Sequence, residues 1–465
     1  MAFSMSAFAA AMDFGGHLRI RGWYNDNQAL LEDNAANAGA SSFFEQRLRL
    51  SGVINLADGV RITTRFDALE NFWGFNRTAF SVANTPDSTV DGQNIQWEIA
   101  NMSFKTKFGS FLVGSTNAPL GYGTKYWESG EGVRYVIRYT VPVGPLEVRA
   151  TLEKKAESQL WGSATRDNMD GDTDIYAIAA KYKGKGYEAG AQFQYLLDKS
   201  VKAAAPAAAA GFTKKLYAFQ PYFISKFGNL NLEAEGLYVF GDAKEYRDPV
   251  GANIDVDAKG YGAYVNAKYT MGPAYLAFMA SITSGDDPNT ADKREGNFAG
   301  DFDGASSLGG SSSPRPLLIL QNTTFNSFFG NAAGNLRANG AGGANYVGGA
   351  NTGRLGANND NCMQFSIYGD YAFTPKWDLF FTVTYTVADE KPQVAVAGGG
   401  QPVGAFVDDE IGTEIDLVLN YKITGQLTYS VQAAYFKVGD YFKGSNPAAT
   451  VDDNYVVMHA LLLEF

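Results

Sequence analysis

The connections in this chain alternate strictly between short and long. Tight Gly/Pro turns recur at "LADGV" near Asp58, "KFGSF" near Gly109, "PVGPL" near Gly144 and "KGKGY" near Gly184. They continue at "KFGNL" near Gly228, "TMGPA" near Gly272, "FTPKW" near Pro375 and "ITGQL" near Gly425, making eight. Between them lie nine long polar connections, at about residues 26–42, 72–93, 117–130, 155–172, 199–213, 242–258, 285–361, 389–411 and 439–454. Each tight turn is flanked on both sides by roughly 9–13 residues that alternate in polarity, the length of a tilted strand crossing a bilayer. Eight hairpins supply sixteen strands, and "GGHLRIRGWY" before the first long connection and "YVVMHALLLEF" after the last bring the count to eighteen.

A sheet of that size with no helices must hide its edges, and closure does so. The expected fold is therefore all-β: a transmembrane antiparallel up-and-down β-barrel, with short turns at one end and long loops at the other. The outward faces are apolar enough for lipid, as in Leu146, Val148, Ala150 and Leu152, or Ile415, Leu417, Leu419 and Tyr421. Aromatic residues crowd both strand ends: Phe108, Tyr139, Tyr182, Phe227, Tyr269 and Trp377 near the tight turns, and Trp97, Tyr135, Tyr176, Tyr195, Tyr238 and Tyr435 near the long connections. Two such girdles mark the two interfaces of a membrane. No run of about 18 apolar residues is present, so no spanning helix is expected. Residues 12–465 read as a single barrel domain, and residues 1–11 as a signal-peptide remnant or a frayed N-terminus. In "MAFSMSAFAAAMDF", Ala7-Phe8-Ala9 and Ala9-Ala10-Ala11 fit a small-x-small cleavage site.

The final strand ends on Phe465, placed on the same face as Tyr455, Val457, His459, Leu461 and Leu463. Together with the turn rhythm and the girdles, this ending resembles the outer-membrane porins of Gram-negative bacteria. In that family a C-terminal strand ending in Phe is the assembly signal. Eighteen strands points toward the substrate-selective and alginate-export-like members. The resemblance implies integral insertion in the bacterial outer membrane, with both termini in the periplasm and the long loops outside. It implies outer-membrane lipid, lipopolysaccharide and small anionic or polar solutes as partners, with monomer and homotrimer both open. No nucleic-acid partner is expected.

The lumen should be polar, and chemistry there belongs to inward side chains. Strand one offers His17, Arg19 and Arg21, strand two Glu45, Arg47 and Arg49, and strand three Arg61, Arg65 and Asp67. Arg134, Arg138 and Arg149 follow, flanked by Glu147 and Glu153. Of sixteen arginines, these nine are the ones in strands, and all precede residue 150. Guanidinium forks suit carboxylate, sulfate or phosphate, so one reading is an anion-attracting wall. The other is a salt-bridge lattice neutralised by Glu45, Asp67, Glu147 and Glu153. The tight turn at Asp58 suggests Arg47 opposite Asp67 and Arg49 opposite Arg65. A bulge is expected near Ala100–Asn101, where the alternation slips.

The connection at 285–361 is far longer than usual. Its stretch 304–359 has no Asp or Glu, carries Arg315, Arg337 and Arg354, and includes the apolar run "PLLILQNTTFNSFF". It reads as a segment capping or entering the pore, or as a surface loop. In "DNMDGDTD", Asp170, Asp172 and Asp174 could hold calcium in an external loop, although a solvated acidic loop has the same pattern. No other cofactor is expected.

One cysteine, Cys362, excludes an intramolecular disulfide, and two histidines, His17 and His459, leave little room for His-dependent catalysis. The reading is a passive diffusion channel, not an enzyme, with a bias toward anions. The alternatives are the barrel sleeve of a porin–cytochrome electron conduit, with any haem arriving on a partner, and an outer-membrane hydrolase.

Overall fold

A computed structural model of the chain describes residues 11–26, 40–56, 59–73, 95–124, 126–127, 133–157, 171–201, 211–246, 254–296, 298–302, 317–320, 361–391, 406–444 and 446–465. Eighteen long strands form one sheet. The first nine are β1 (Ala11–Asp26), β2 (Ser41–Asn55), β3 (Arg61–Phe72), β4 (Ile95–Thr106), β5 (Gly109–Thr116), β6 (Arg134–Val143), β7 (Leu146–Ala156), β8 (Thr173–Gly184) and β9 (Tyr187–Asp198). The rest are β10 (Phe212–Phe227), β11 (Leu230–Tyr246), β12 (Val256–Met271), β13 (Ala274–Thr283), β14 (Cys362–Thr374), β15 (Trp377–Val387), β16 (Glu410–Lys422), β17 (Leu427–Val438) and β18 (Asn454–Glu464). Each long strand pairs antiparallel with its chain neighbours, and β18 returns to pair with β1, so the sheet closes. A two-residue bridge at Lys293–Arg294 adds a short parallel pairing beside β12.

The seam between β18 and β1 takes in Phe465. Ten residue pairs run from His17↔Glu464 to Asp26↔Tyr455. Beyond them Phe465 accepts a hydrogen bond from the Gly16 amide at 2.8 Å and returns one to its carbonyl at 3.1 Å. The last residue is thus part of the ladder, and its ring faces outward, half exposed. Ala11, where the described residues begin, and Phe465 both lie at the short-turn end of the barrel. The turns that reverse the chain there need little sequence. Gly144, Gly228 and Gly272 each hold φ near +58 as the first central residue, the conformation that matches strand twist and costs glycine least.

Outside, the surface is lipid-like. Ile137, Ile178, Phe278, Ile367, Ile415 and Leu417 are each about half exposed and lie around the cylinder. A soluble monomer does not present a continuous apolar belt of this kind. Toward the loop end, Tyr176, Tyr195, Tyr217 and Phe240 sit directly opposite one another on successive strands, their rings stacked 4.9–6.2 Å apart. Toward the turn end, Phe104, Phe111 and Tyr139 also sit opposite one another, as do Trp377 and Tyr421, with ring centroids 4.4–5.2 Å apart.

Two register details differ from the sequence reading. Across β2 and β3, Arg49 faces Asp67 and Ser51 faces Arg65. The expected opposition of Arg49 and Arg65 is therefore wrong by two residues. The hairpin is centred one residue later than that expectation, with Leu56 N–H bonded to the Val60 carbonyl, and the resulting two-residue shift in pairing preserves which face each side chain takes. The bulge in β4 lies slightly earlier than expected. Arg65 pairs with Ile99 and Phe66 with Trp97, which leaves Glu98 as the extra residue.

Inside, the barrel is not uniformly polar. Segments of the long connections fold into it and need apolar seats. Leu120, Phe298 and Phe302 pack on the inward Ile175, Leu196, Leu216 and Val239. Leu317–Leu320 pack with Trp23, Phe436, Phe442, Val456 and Met458 at the opposite side of the wall.

Candidate pore-lining site

Strands β1 to β4 bring one charged ladder together. Glu45 accepts from Arg21 Nε and lies 3.9 Å from Arg19. Arg49 forks onto Asp67, with both N–H···O distances 2.6 Å, and reaches Glu98 at 3.0 Å. Arg65 donates to the same Glu98 at 2.7 Å. Arg47 lies 3.8 Å from Asp67 and 3.3 Å from the His17 ring. The bidentate geometry follows from the register. A directly opposite pair on an antiparallel ladder lets the planar guanidinium meet the planar carboxylate edge to edge. Among the side chains named, five arginines (Arg19, Arg21, Arg47, Arg49, Arg65) meet three carboxylates (Glu45, Asp67, Glu98), a net of +2. Arg61 stands apart at the turn end, where it donates to Asn55.

Arg134, Arg138 and Arg149 form a second group on β6 and β7, separated from the first by β5. Arg134 and Glu153 pair at 2.9 Å, each with a side chain only 2 % exposed. Arg138 donates to the Ala118 and Pro119 carbonyls at 3.2 and 2.6 Å, and Arg149 to the Gly121 carbonyl at 2.6 Å. Those carbonyls belong to the connection after β5, read from sequence as a polar outer loop. It instead folds into the lumen. Leu120, Tyr122, Tyr126 and Trp127 are all buried there. Tyr126 stacks on Tyr264 of the far wall at 4.1 Å, and Thr124 bonds to Glu235. A side chain at Gly121 would collide with Gln192, and one at Gly123 with Glu235. The glycines permit the close approach, and the arginines hold the returning main chain. Burial and the bond to Glu147 push the Tyr122 phenol up, so it stays a neutral donor. The signal available in sequence was "NAPLGYGTKYW": three aromatic residues and two glycines inside one connection.

The long connection before β14 also enters the barrel where it is described. Asp301 binds Lys214 at 2.6 Å and Arg294 at 2.9 Å. Burial opposes its ionisation, but Arg294 and Lys214 outweigh that and hold its carboxyl below the usual range. Further on, Ile319 and Leu320 amides donate to the two oxygens of buried Glu414 at 2.8 and 2.7 Å. Arg315, Arg337 and Arg354, the expected constriction residues, lie outside the described residues.

Asp170 of the expected calcium loop also lies outside them. Asp172 and Asp174 share the Lys154 ammonium at 2.7 and 2.8 Å, so a lysine supplies the positive charge between them. Among the described residues no cluster of potential ligands suits a metal. His459 points outward against Phe44 and Tyr429. Glu98, Lys154 and Lys181, which pairs with Glu147 at 3.2 Å, are lumenal or rim charges that sequence reasoning passed over.

No family model matches the chain, and no curated protein matches it. Solved structures of outer-membrane porins resemble it over nearly its whole length. OccAB3 of Acinetobacter baumannii is 11 % identical, with 97 % of this chain and 100 % of that one covered and a TM-score of 0.49. OccK2 (OpdF) of Pseudomonas aeruginosa is 10 % identical, covering 97 % and 98 %, with a TM-score of 0.48. The anion-selective porin of Comamonas acidovorans is 10 % identical, covering 98 % and 100 %, with a TM-score of 0.45. The architecture of this chain is established by its own strand pairing: a closed antiparallel β-barrel of eighteen strands.

Proposed function

We propose that the protein is an outer-membrane porin, a passive diffusion channel for small hydrophilic solutes with a bias toward anions. The observation that carries this is the inversion of polarity across one closed wall. Half-exposed apolar side chains and stacked aromatic bands cover the outside, and charged ladders line the inside. Such a wall is stable only with lipid outside and water within. The short turns and both termini then face the periplasm, the loops face outward, and lipid and lipopolysaccharide contact the belt.

The anion bias rests on the net of +2 in the ladder of β1 to β4. Field lines from charges facing a narrow, low-dielectric cylinder are focused along it. The inward segments at 117–124, 126–127 and 317–320 narrow the path, so ions pass closer to the charged arc. They also occupy space that a sleeve would leave for a partner protein. The test is planar-bilayer recording of the purified chain under a salt gradient. Stepwise conductance with a zero-current potential on the anion-selective side is expected. A folded barrel that does not conduct would overturn the channel reading, and cation selectivity would overturn the bias.

A further inference from the structure

A cavity of about 500 Å³ lies on the lumenal side of β8 to β12, just inside the short turns. Its lining is arranged in two rows by the strand register. The deeper row runs Lys183↔Glu188↔Ile224↔Glu233↔Asn266 across five strands. The row nearer the turns runs Lys226↔Asn231↔Lys268. Carboxylates therefore occupy the deeper level and ammonium groups the outer one, with Lys183 at the edge of the deeper row.

These charges are treated differently from those of the arginine ladder. There, neighbouring opposite charges are paired at 2.6–3.0 Å. Here, among the described residues, no ion pair joins Lys183, Lys226 or Lys268 to Glu188 or Glu233. Each carboxylate is instead held from the deeper side by a tyrosine. Tyr222 donates to Glu188 at 2.8 Å and Tyr264 to Glu233 at 3.3 Å. Lys268 is held over the Tyr275 ring at 3.6 Å. Uncharged Ile224 and Asn231 stand between the charged members of each row. Opposite charges that share a cavity, are braced by neutral groups and stay apart are poised for a ligand carrying both charges.

We propose that this cavity is a binding subsite for a dipeptide-sized zwitterion, whose ammonium meets Glu188 and Glu233 and whose carboxylate meets Lys226, Lys268 and Asn231. The spacing selects the class. The rows are two residues apart along the strands, about 7 Å. An extended dipeptide places its terminal charges about 7 Å apart, whereas an α-amino acid carries both on one carbon. The inference deepens the channel reading by naming a solute class, and it rests on that reading for its biological meaning.

The test uses the full chain in detergent micelles and saturation-transfer NMR with glycylglycine as probe. Saturable binding is expected. Glycylglycinamide, lacking the carboxylate, and N-acetylglycylglycine, lacking the ammonium, should each bind at least about tenfold more weakly, the cost of one charged hydrogen-bonding partner. Glu188→Gln with Glu233→Gln should reduce glycylglycine to the level of its N-acetyl analogue. Lys226→Gln with Lys268→Gln should reduce it to the level of the amide. Equal binding of all three probes to the unmodified chain, or no saturable binding of glycylglycine, overturns the proposal without any variant having to fold. Conductance of the same preparation is read separately. A barrel that conducts but does not bind refutes the subsite, and one that binds but does not conduct refutes the channel.

Discussion

Replacing Arg47, Arg49 and Arg65 together by Gln tests the charged arc quantitatively. The arc now holds five arginines against Glu45, Asp67 and Glu98. The triple variant keeps two arginines against the same three carboxylates, so its net charge changes from +2 to −1. For an ion passing about 8 Å away through water, three unit charges are worth about 1.6 kcal/mol before screening. With a Debye length of about 10 Å at 0.1 M, about 0.7 kcal/mol remains, and at 0.01 M, where the length is about 30 Å, about 1.2 kcal/mol. The effect has opposite sign for anion and cation. The anion/cation permeability ratio should therefore fall about tenfold at 0.1 M and about fiftyfold at 0.01 M. Zero-current potentials in planar bilayers measure the ratio directly. The variant must first show the heat-modifiable mobility of a closed barrel, because removing Arg49 and Arg65 leaves Asp67 and Glu98 without those partners. If a folded triple variant and the unmodified chain give the same potential at low salt, the arc is a structural lattice only.

Deleting Phe465 removes two main-chain hydrogen bonds to Gly16 at the seam. Each group left unpaired toward lipid costs several kcal/mol. Barrel insertion in cells should drop while export across the inner membrane is kept, as read by membrane fractionation. Glu414→Ala removes a carboxylate that accepts from two consecutive amides of the buried segment at Ile319 and Leu320. At about 0.5–1.5 kcal/mol for each bond, the segment should loosen, with faster proteolysis near residues 317–320 and a larger unit conductance. Asp301 titrates below the usual range in the folded chain because Arg294 and Lys214 outweigh its burial. A depressed folded value means its stabilisation is complete above the ordinary aspartate value of about 3.9 and is lost as pH falls through the folded value. Protection of the amides at 298–302, taken relative to the intrinsic exchange rate at each pH, should therefore fall in acid, and Asp301→Asn should show the lowered protection already at pH 7.

The sequence by itself determined the strands, their number and which side chain faces which way. Those follow from period-two alternation and from turn residues such as Gly144 and Gly228, all local properties of a few neighbouring residues. Closure followed too, because a large sheet in lipid cannot leave an edge unpaired. The tertiary structure alone decided who meets whom. Arg49 finds Asp67, not Arg65, because the hairpin between Leu56 and Val60 is centred one residue later than the sequence reading placed it. A shift by two residues leaves every side chain on the same face, so the polarity pattern is blind to it. It also decided that residues 117–124 and 126–127 enter the lumen. That irregular segment has no period to read. Its course is set by partners more than a hundred residues away, Glu235 for Thr124 and Tyr264 for Tyr126. The two-row cavity has the same origin. Glu188, Glu233, Lys226 and Lys268 lie on four different strands, and only the register across those strands places their charges side by side without pairing them.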